Sequence, residues 1–186
     1  MMIATAIDLR NEEVYVQCPV SAEDNMQNLY SIEKLMDQTR KLAKEYRQAM
    51  GKPLAVSNEL AIYDAARLLN LQITEDVEGG YDAIGMVGPR TAKRFQIKAR
   101  TIFNEDKSGQ RIGQIKTEKE WDAVLLIIMD ENYLPQEIYE ADRQVLLEAL
   151  DESKNAKRAK RGAMTVAKFK IISELVWDVH EGAELS

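Results

Sequence analysis

The chain has one cysteine, Cys18, and one histidine, His180, among 186 residues, and those two scarcities remove several chemistries at once. A lone cysteine closes no internal disulfide, and one Cys with one His cannot build a zinc site within a single chain. A Ser-His-Asp or Cys-His mechanism would have to recruit His180, close to the end of the sequence, so both residues read as structural or surface groups. No run of 18 apolar residues exists to span a bilayer. The start, Met-Met-Ile-Ala-Thr, lacks a basic region followed by an apolar stretch and a cleavage site, which gives the expectation of a cytoplasmic protein. The nine glycines form no nucleotide loop. Gly51-Lys52 lacks the upstream glycines of a phosphate loop, and Gly79, Gly80, Gly85 and Gly88 have the wrong spacing for a dinucleotide loop and no helix after them.

What is present is an ordinary globular balance, 45% hydrophobic and 30% charged. It suits one domain over 26–186 with an N-terminal arm over 1–25, in which Val14 to Val20 has the pattern of a short strand. Leu29, Ile32, Met36, Thr39, Ala43, Tyr46 and Met50 recur at 3-4 spacing and predict a helix over 26–50, stopped by Gly51-Lys52-Pro53. That stripe, widened by Leu35, Leu42 and Ala49, packs on the domain core or pairs with a second copy in a homodimer. Ser57 or Asn58 is placed to cap a second helix reaching about Asn70, with Glu59 in its first turn, where the helix dipole favours a carboxylate. Tyr81 to Val87 and Arg94 to Thr101 read as strands around a Gly88-Pro89 turn. Asn104 to Glu120 reads as a long mobile loop. The unbroken apolar run Ala123 to Met129 suits a fully buried strand, Tyr133 to Glu140 its partner, and Ala141 to Leu150 a helix. After a basic linker at Lys154 to Arg161, Thr165 opens a last helix to about Val179. The sum is a mixed α/β sandwich on one central sheet.

Charge is segregated along the chain. Between Arg90 and Lys119 nine Lys and Arg face three acids, and between Lys154 and Lys170 there are seven bases and no acid, although the net charge of the whole is -6. Two basic stretches on an otherwise acidic chain fit a surface that meets a polyanion, or two solvated loops on different sides of the molecule.

The chemistry concentrates between Gly80 and Thr101. Arg94, Gln96, Lys98 and Arg100 share one parity and Phe95, Ile97, Ala99 and Thr101 the other, so one strand face is packed and the other is cationic. Pairing with the preceding strand brings Asp82 toward Gln96 and Lys98. Asp82 is then an oxygen ligand for a hard cation such as Mg2+ or Mn2+, Gln96 and the Ile97 carbonyl add neutral oxygens, and Lys98 orients water or stabilises phosphate charge. The alternative is that Asp82 ends a turn and the alternating strand is an ordinary solvated edge of an antiparallel sheet. A second Gln-Ile-Lys, Gln114 to Lys116, lacks the preceding Asp-bearing strand.

With Glu59, Asp82, Gln96 and Lys98 in that order on those elements, the chain resembles the PD-(D/E)xK nuclease superfamily, the restriction-endonuclease-like fold, over roughly 57–150. Gln96 stands at the family's second acidic position, as in the branch similar to Mrr-type enzymes. The resemblance implies a restriction-endonuclease-like mixed sheet flanked by helices and a metal-dependent DNA endonuclease. Asp82, Gln96 and Ile97 would hold the metal, Lys98 would position water, and Glu59 would support them. Arg94, Arg100, Arg111, Lys116, Lys157, Arg158, Lys160, Arg161 and Lys168 would contact DNA phosphates. A fold of this kind that binds DNA without cutting, and a helical protein that dimerises through 26–50, are the alternative readings.

Overall fold

The computed structural model of the chain describes residues 22–75, 78–103, 109–152 and 164–183. The short strand expected near Val14 and the basic positions Lys157, Arg158, Lys160 and Arg161 lie outside them. The chain divides into two compact units, Met1–Lys34 and Leu35–Ser186. The first contributes the opening residues of helix α1 (Ala22–Met50), and the second holds everything that follows.

Seven strands form one mixed sheet in which spatial order follows chain order: β1 (Leu71–Ile73), β2 (Ala83–Gly85), β3 (Arg94–Thr101), β4 (Ala123–Met129), β5 (Pro135–Asp142), β6 (Glu174–Asp178) and β7 (Gly182–Ala183). Only β3 and β4 run parallel, with Phe95 opposite Ala123 and Thr101 opposite Met129; every other neighbouring pair is antiparallel. A parallel pair needs a crossover, and here it is the segment between Ile102 and Asp122.

Helix α2 (Ser57–Leu69) covers one face of the sheet. It buries Leu60, Ala61, Ala65 and Leu69 against Phe95 and Ile97 of β3 and Leu125 and Ile127 of β4. Full burial of a side chain such as Leu60 contributes about 1.5–3 kcal/mol. The other face, carrying Val124, Leu126 and Ile128, is covered by α3 (Arg143–Glu152), by α4 (Val166–Ile172) and by Ile112, Ile115 and Trp121 of the crossover. All seven residues of β4 are consequently buried, as its unbroken apolar composition requires.

Several expectations need correction. The last helix stops at Ile172, and Glu174 to Asp178 pairs with β5 as a strand, because Val176 and Trp177 serve the sheet. The strand expected over Tyr81 to Val87 shortens to three residues, and Gly88–Arg90 forms a 3-10 turn. The residue preceding α2 is Val56, with no side-chain cap; Ser57 Oγ instead lies 3.1 Å from Thr101 Oγ1. The crossover expected to be mobile packs Ile112 and Ile115 into the core over its described part. Thr165 does cap α4, accepting from the Lys168 N–H at 3.1 Å.

Within the larger unit, α1 buries Ala43 and Arg40 and leaves Leu35, Leu42 and Met50 exposed. Arg40 donates to Asp64 Oδ1 of α2 at 2.6 Å and to the Tyr133 carbonyl in the β4–β5 turn. It therefore ties a helix, its neighbour and a turn through one guanidinium.

Candidate functional site

Asp82 stands just before β2 and is held by main chain on both sides. Its N–H donates to the Phe95 carbonyl at 2.7 Å, and its carbonyl accepts from Thr74 N–H at 3.1 Å. Its side chain turns toward β3, where Oδ2 accepts the Ile97 N–H at 2.6 Å. The turn that delivers it depends on a close backbone approach at Gly85, where a Cβ would meet the Arg90 carbonyl oxygen at 1.8 Å. Asp82 Oδ1 carries no hydrogen bond among the described residues.

Lys98 lies one step along β3, half-buried beneath the crossover, and a Cβ at Gly113 would sit 3.9 Å from its Cδ. Burial pushes its ammonium below the ordinary lysine value; attraction to Asp82 offsets part of that and repulsion from Lys116 adds to it. Among the described residues its ammonium has no carboxylate within ion-pair distance, so Asp82 is its nearest electrostatic counterpart.

Gln96 shares the face of Lys98 and is 1% exposed. Its Oε1 accepts the Lys116 N–H at 3.1 Å and its Nε2 donates to the Lys116 carbonyl at 3.2 Å. The same carbonyl accepts Trp121 Nε1 at 2.8 Å. Both ends of the amide are thus committed to the crossover backbone, where the sequence suggested a metal ligand. Ile97 contributes its N–H to Asp82. Glu59 is exposed in the first turn of α2, the helix that packs on the face opposite Gln96 and Lys98. It keeps the helix-dipole role its position allows.

The cations of the expected nucleic-acid surface divide sharply. Arg94 is paired with Asp122 at 3.0 Å and with Glu120 at 2.9 Å. The Asp122 hydrogen bond, aided by Glu120, holds its guanidinium well above the ordinary value, and the same bond holds Asp122 below its own. Arg100 donates to Gln110 Oε1 at 2.9 Å, and Lys168 Nζ caps the Ala149 carbonyl of α3 at 2.5 Å. Lys116 and Arg111, by contrast, are exposed on the crossover, with no ion pair formed among the described residues.

Arg143 is a contributor the sequence did not single out. It donates to the carbonyls of Thr117, Lys119 and Trp121 and stacks 4.5 Å from the centre of the Trp121 ring, so it braces the crossover from β5's far end. The repeated Gln-Ile-Lys was the available signal, since its Ile115 is 1% exposed and anchors the segment.

No group of three or more His, Cys, Asp or Glu side chains among the described residues is placed to hold a metal ion. A single carboxylate with one uncommitted oxygen, Asp82, meets the lower end of what Mg2+ accepts, because that ion keeps several waters and takes further oxygens from a phosphate. A separate cleft of about 980 Å³ opens at the end of β4, lined in part by Asp130, Glu137, Lys170, Asp178 and His180. Within it Glu137 pairs with Lys170, and Asp178 accepts the His180 backbone N–H. No protein-family model matches the chain, and no curated protein matches it either. No helix among the described residues is long and apolar enough to cross a membrane.

Proposed function

We propose that the chain is a metal-dependent DNA endonuclease of restriction-endonuclease-like type whose phosphodiester site is Asp82 with Lys98. The observation that carries this reading is their delivery to one face by an antiparallel β1–β2–β3 meander followed by a parallel β4. Asp82 would hold the ion through Oδ1 while Oδ2 stays on the Ile97 N–H. A bound Mg2+ supplies Lewis acidity and a more acidic water. Lys98, half-buried and near Asp82, places a positive charge where a phosphate oxygen gains negative charge in the transition state. Lys116 and Arg111, exposed on the crossover that covers this face, would bind neighbouring phosphates without reading bases.

A second reading, DNA binding without cleavage, is favoured by one observation: the amide of Gln96 is committed to Lys116 and adds nothing to a metal. Supercoiled DNA incubated with Mg2+ or Mn2+, and separately with chelator, distinguishes the two. Cleavage predicts metal-dependent nicking that Lys98→Ala abolishes while binding persists. Binding with no nicking in either metal establishes the second reading, and absence of both contradicts each.

A further inference from the structure

Lys116 N–H can only donate and its carbonyl can only accept, so the two bonds from Gln96 fix both which end of the amide faces which atom and where Lys116 sits. The anchor is buried, and the Trp121 indole holds the same carbonyl from another side. Gln96 and Lys98 are two residues apart on one strand face, about 7 Å. The crossover therefore runs with Gly113 over Lys98 and Lys116 rooted over Gln96. Among the described residues Lys116 forms no ion pair, whereas Arg94 two residues to the other side is fully paired.

We propose that Gln96 is a positioning residue, whose clamp on the Lys116 backbone sets a second ammonium beside Lys98 and makes a two-lysine seat for a DNA phosphate. In its choice of ligand this rests on the phosphodiester reading above; the clamp itself does not. Gln96 acts through Lys116 and touches no substrate. The inference also separates Gln96 from a metal-ligand role, because a ligand is improved by a carboxylate and this clamp is weakened by one: a carboxylate can still accept the Lys116 N–H but cannot donate to the Lys116 carbonyl.

Two measurements on the full chain test it. Hydrogen exchange reads the clamp: Gln96→Leu should speed exchange of the Lys116 amide by at least about 100-fold while the β3–β4 amides stay protected. Unchanged protection at Lys116 overturns the clamp. Binding of a short DNA duplex, with chelator present, reads the seat. Lys116→Ala should lower the slope of log affinity against log salt by about 0.9, Gln96→Leu should do the same, and the double variant should add nothing further. Between two salt concentrations fourfold apart, that slope difference is about 3.5-fold in affinity. Gln96→Glu keeps an acceptor for the Lys116 N–H but sets a carboxylate against the Lys116 carbonyl, so in exchange it should fall between the wild type and Gln96→Leu; a Glu variant that keeps the full slope and gains Mg2+ affinity overturns the proposal. A slope indifferent to Lys116 overturns the two-lysine seat alone, while a wild-type chain that binds no duplex overturns the phosphodiester reading beneath it and leaves the exchange result to judge the clamp.

Discussion

Arg40→Met should destabilise the larger unit by about 3–5 kcal/mol, because it leaves a buried carboxylate without its partner. Asp64 is 0% exposed, Arg40 is 8% exposed, and the ion pair between them is 2.6 Å long. Asp64 Oδ2 has no hydrogen-bond partner, so Arg40 makes the carboxylate's one side-chain hydrogen bond, through Oδ1, and Arg67 adds only electrostatic attraction. The substitution also strips a donor from the Tyr133 carbonyl, in a turn where Tyr133 already has φ 64°. At about 2–4 °C per kcal/mol for a unit of this size, the melting temperature should fall by about 6–20 °C. The loss should depend on pH with a defined sign. Burial raises the Asp64 carboxyl above its ordinary value and Arg40 offsets part of that rise. A carboxyl whose folded-state pKa lies above its unfolded one binds protons more readily in the native state, so its penalty is full at high pH and is relieved as pH falls through the folded value. Removing Arg40 raises that value further, and the Arg40→Met deficit should therefore be smaller at about pH 5 than at about pH 8. Urea unfolding followed by circular dichroism at both pH values measures it. A loss under about 1 kcal/mol, or one equal at the two pH values, refutes the reasoning; Asp64→Leu added to Arg40→Met should recover most of the loss.

Lys98→Met should leave stability unchanged or raise it near neutral pH, because it removes a cation that burial disfavours. The wild type should gain stability with rising pH between the lowered folded value of Lys98 and the ordinary 10.5, and the variant should lose that increment; parallel pH–stability curves would contradict this. Gly85→Ala should cost at least about 2–3 kcal/mol, since its Cβ would collide with the Arg90 carbonyl at 1.8 Å, and a neutral result in thermal unfolding would show that the turn has room. For the homodimer expected along α1, Leu35 and Leu42, 55% and 58% exposed and seven residues apart, are the candidate seam. Leu42→Glu should then convert a dimer to a monomer in sedimentation without lowering the melting temperature; a dimer that survives the change excludes this face.

Regular elements were legible where one periodicity governed a whole segment. The strand Ala123 to Met129 is all apolar because helices and crossover bury both its faces, and composition alone carries that information. Alternation over Arg94 to Thr101 located β3, but it could not show what covers the polar parity. Gln96 is buried there under a segment whose composition is polar, because Ile112, Ile115 and Trp121 are spaced irregularly and give no helical or strand period. The C-terminal half of the last expected helix failed for a related reason: Val176 suits a helical stripe and a strand equally, and the partner strand β5 decided between them. The nearness of Asp82 to Lys98 followed from the pairing of neighbouring strands, a local relation. The face on which α2, the helix of Glu59, packs was not legible in the same way, since it is set by long-range contacts to Phe95 and Ile97. Local charge counts likewise overstated the cationic surface, because the partners of Arg94 are supplied by Glu120 and Asp122, more than twenty residues away.

Asp82→Asn is the sharpest test of the Asp82–Lys98 site. Asparagine keeps an oxygen for the Ile97 N–H, so the β2–β3 junction stays formed while the negative charge that would hold the ion is gone. Nicking of supercoiled DNA in Mg2+ by this variant, set against the wild type at equal DNA occupancy, should fall by at least about 100-fold with the melting temperature nearly unchanged. Nicking by Asp82→Asn at the wild-type rate would place the chemistry elsewhere on the molecule.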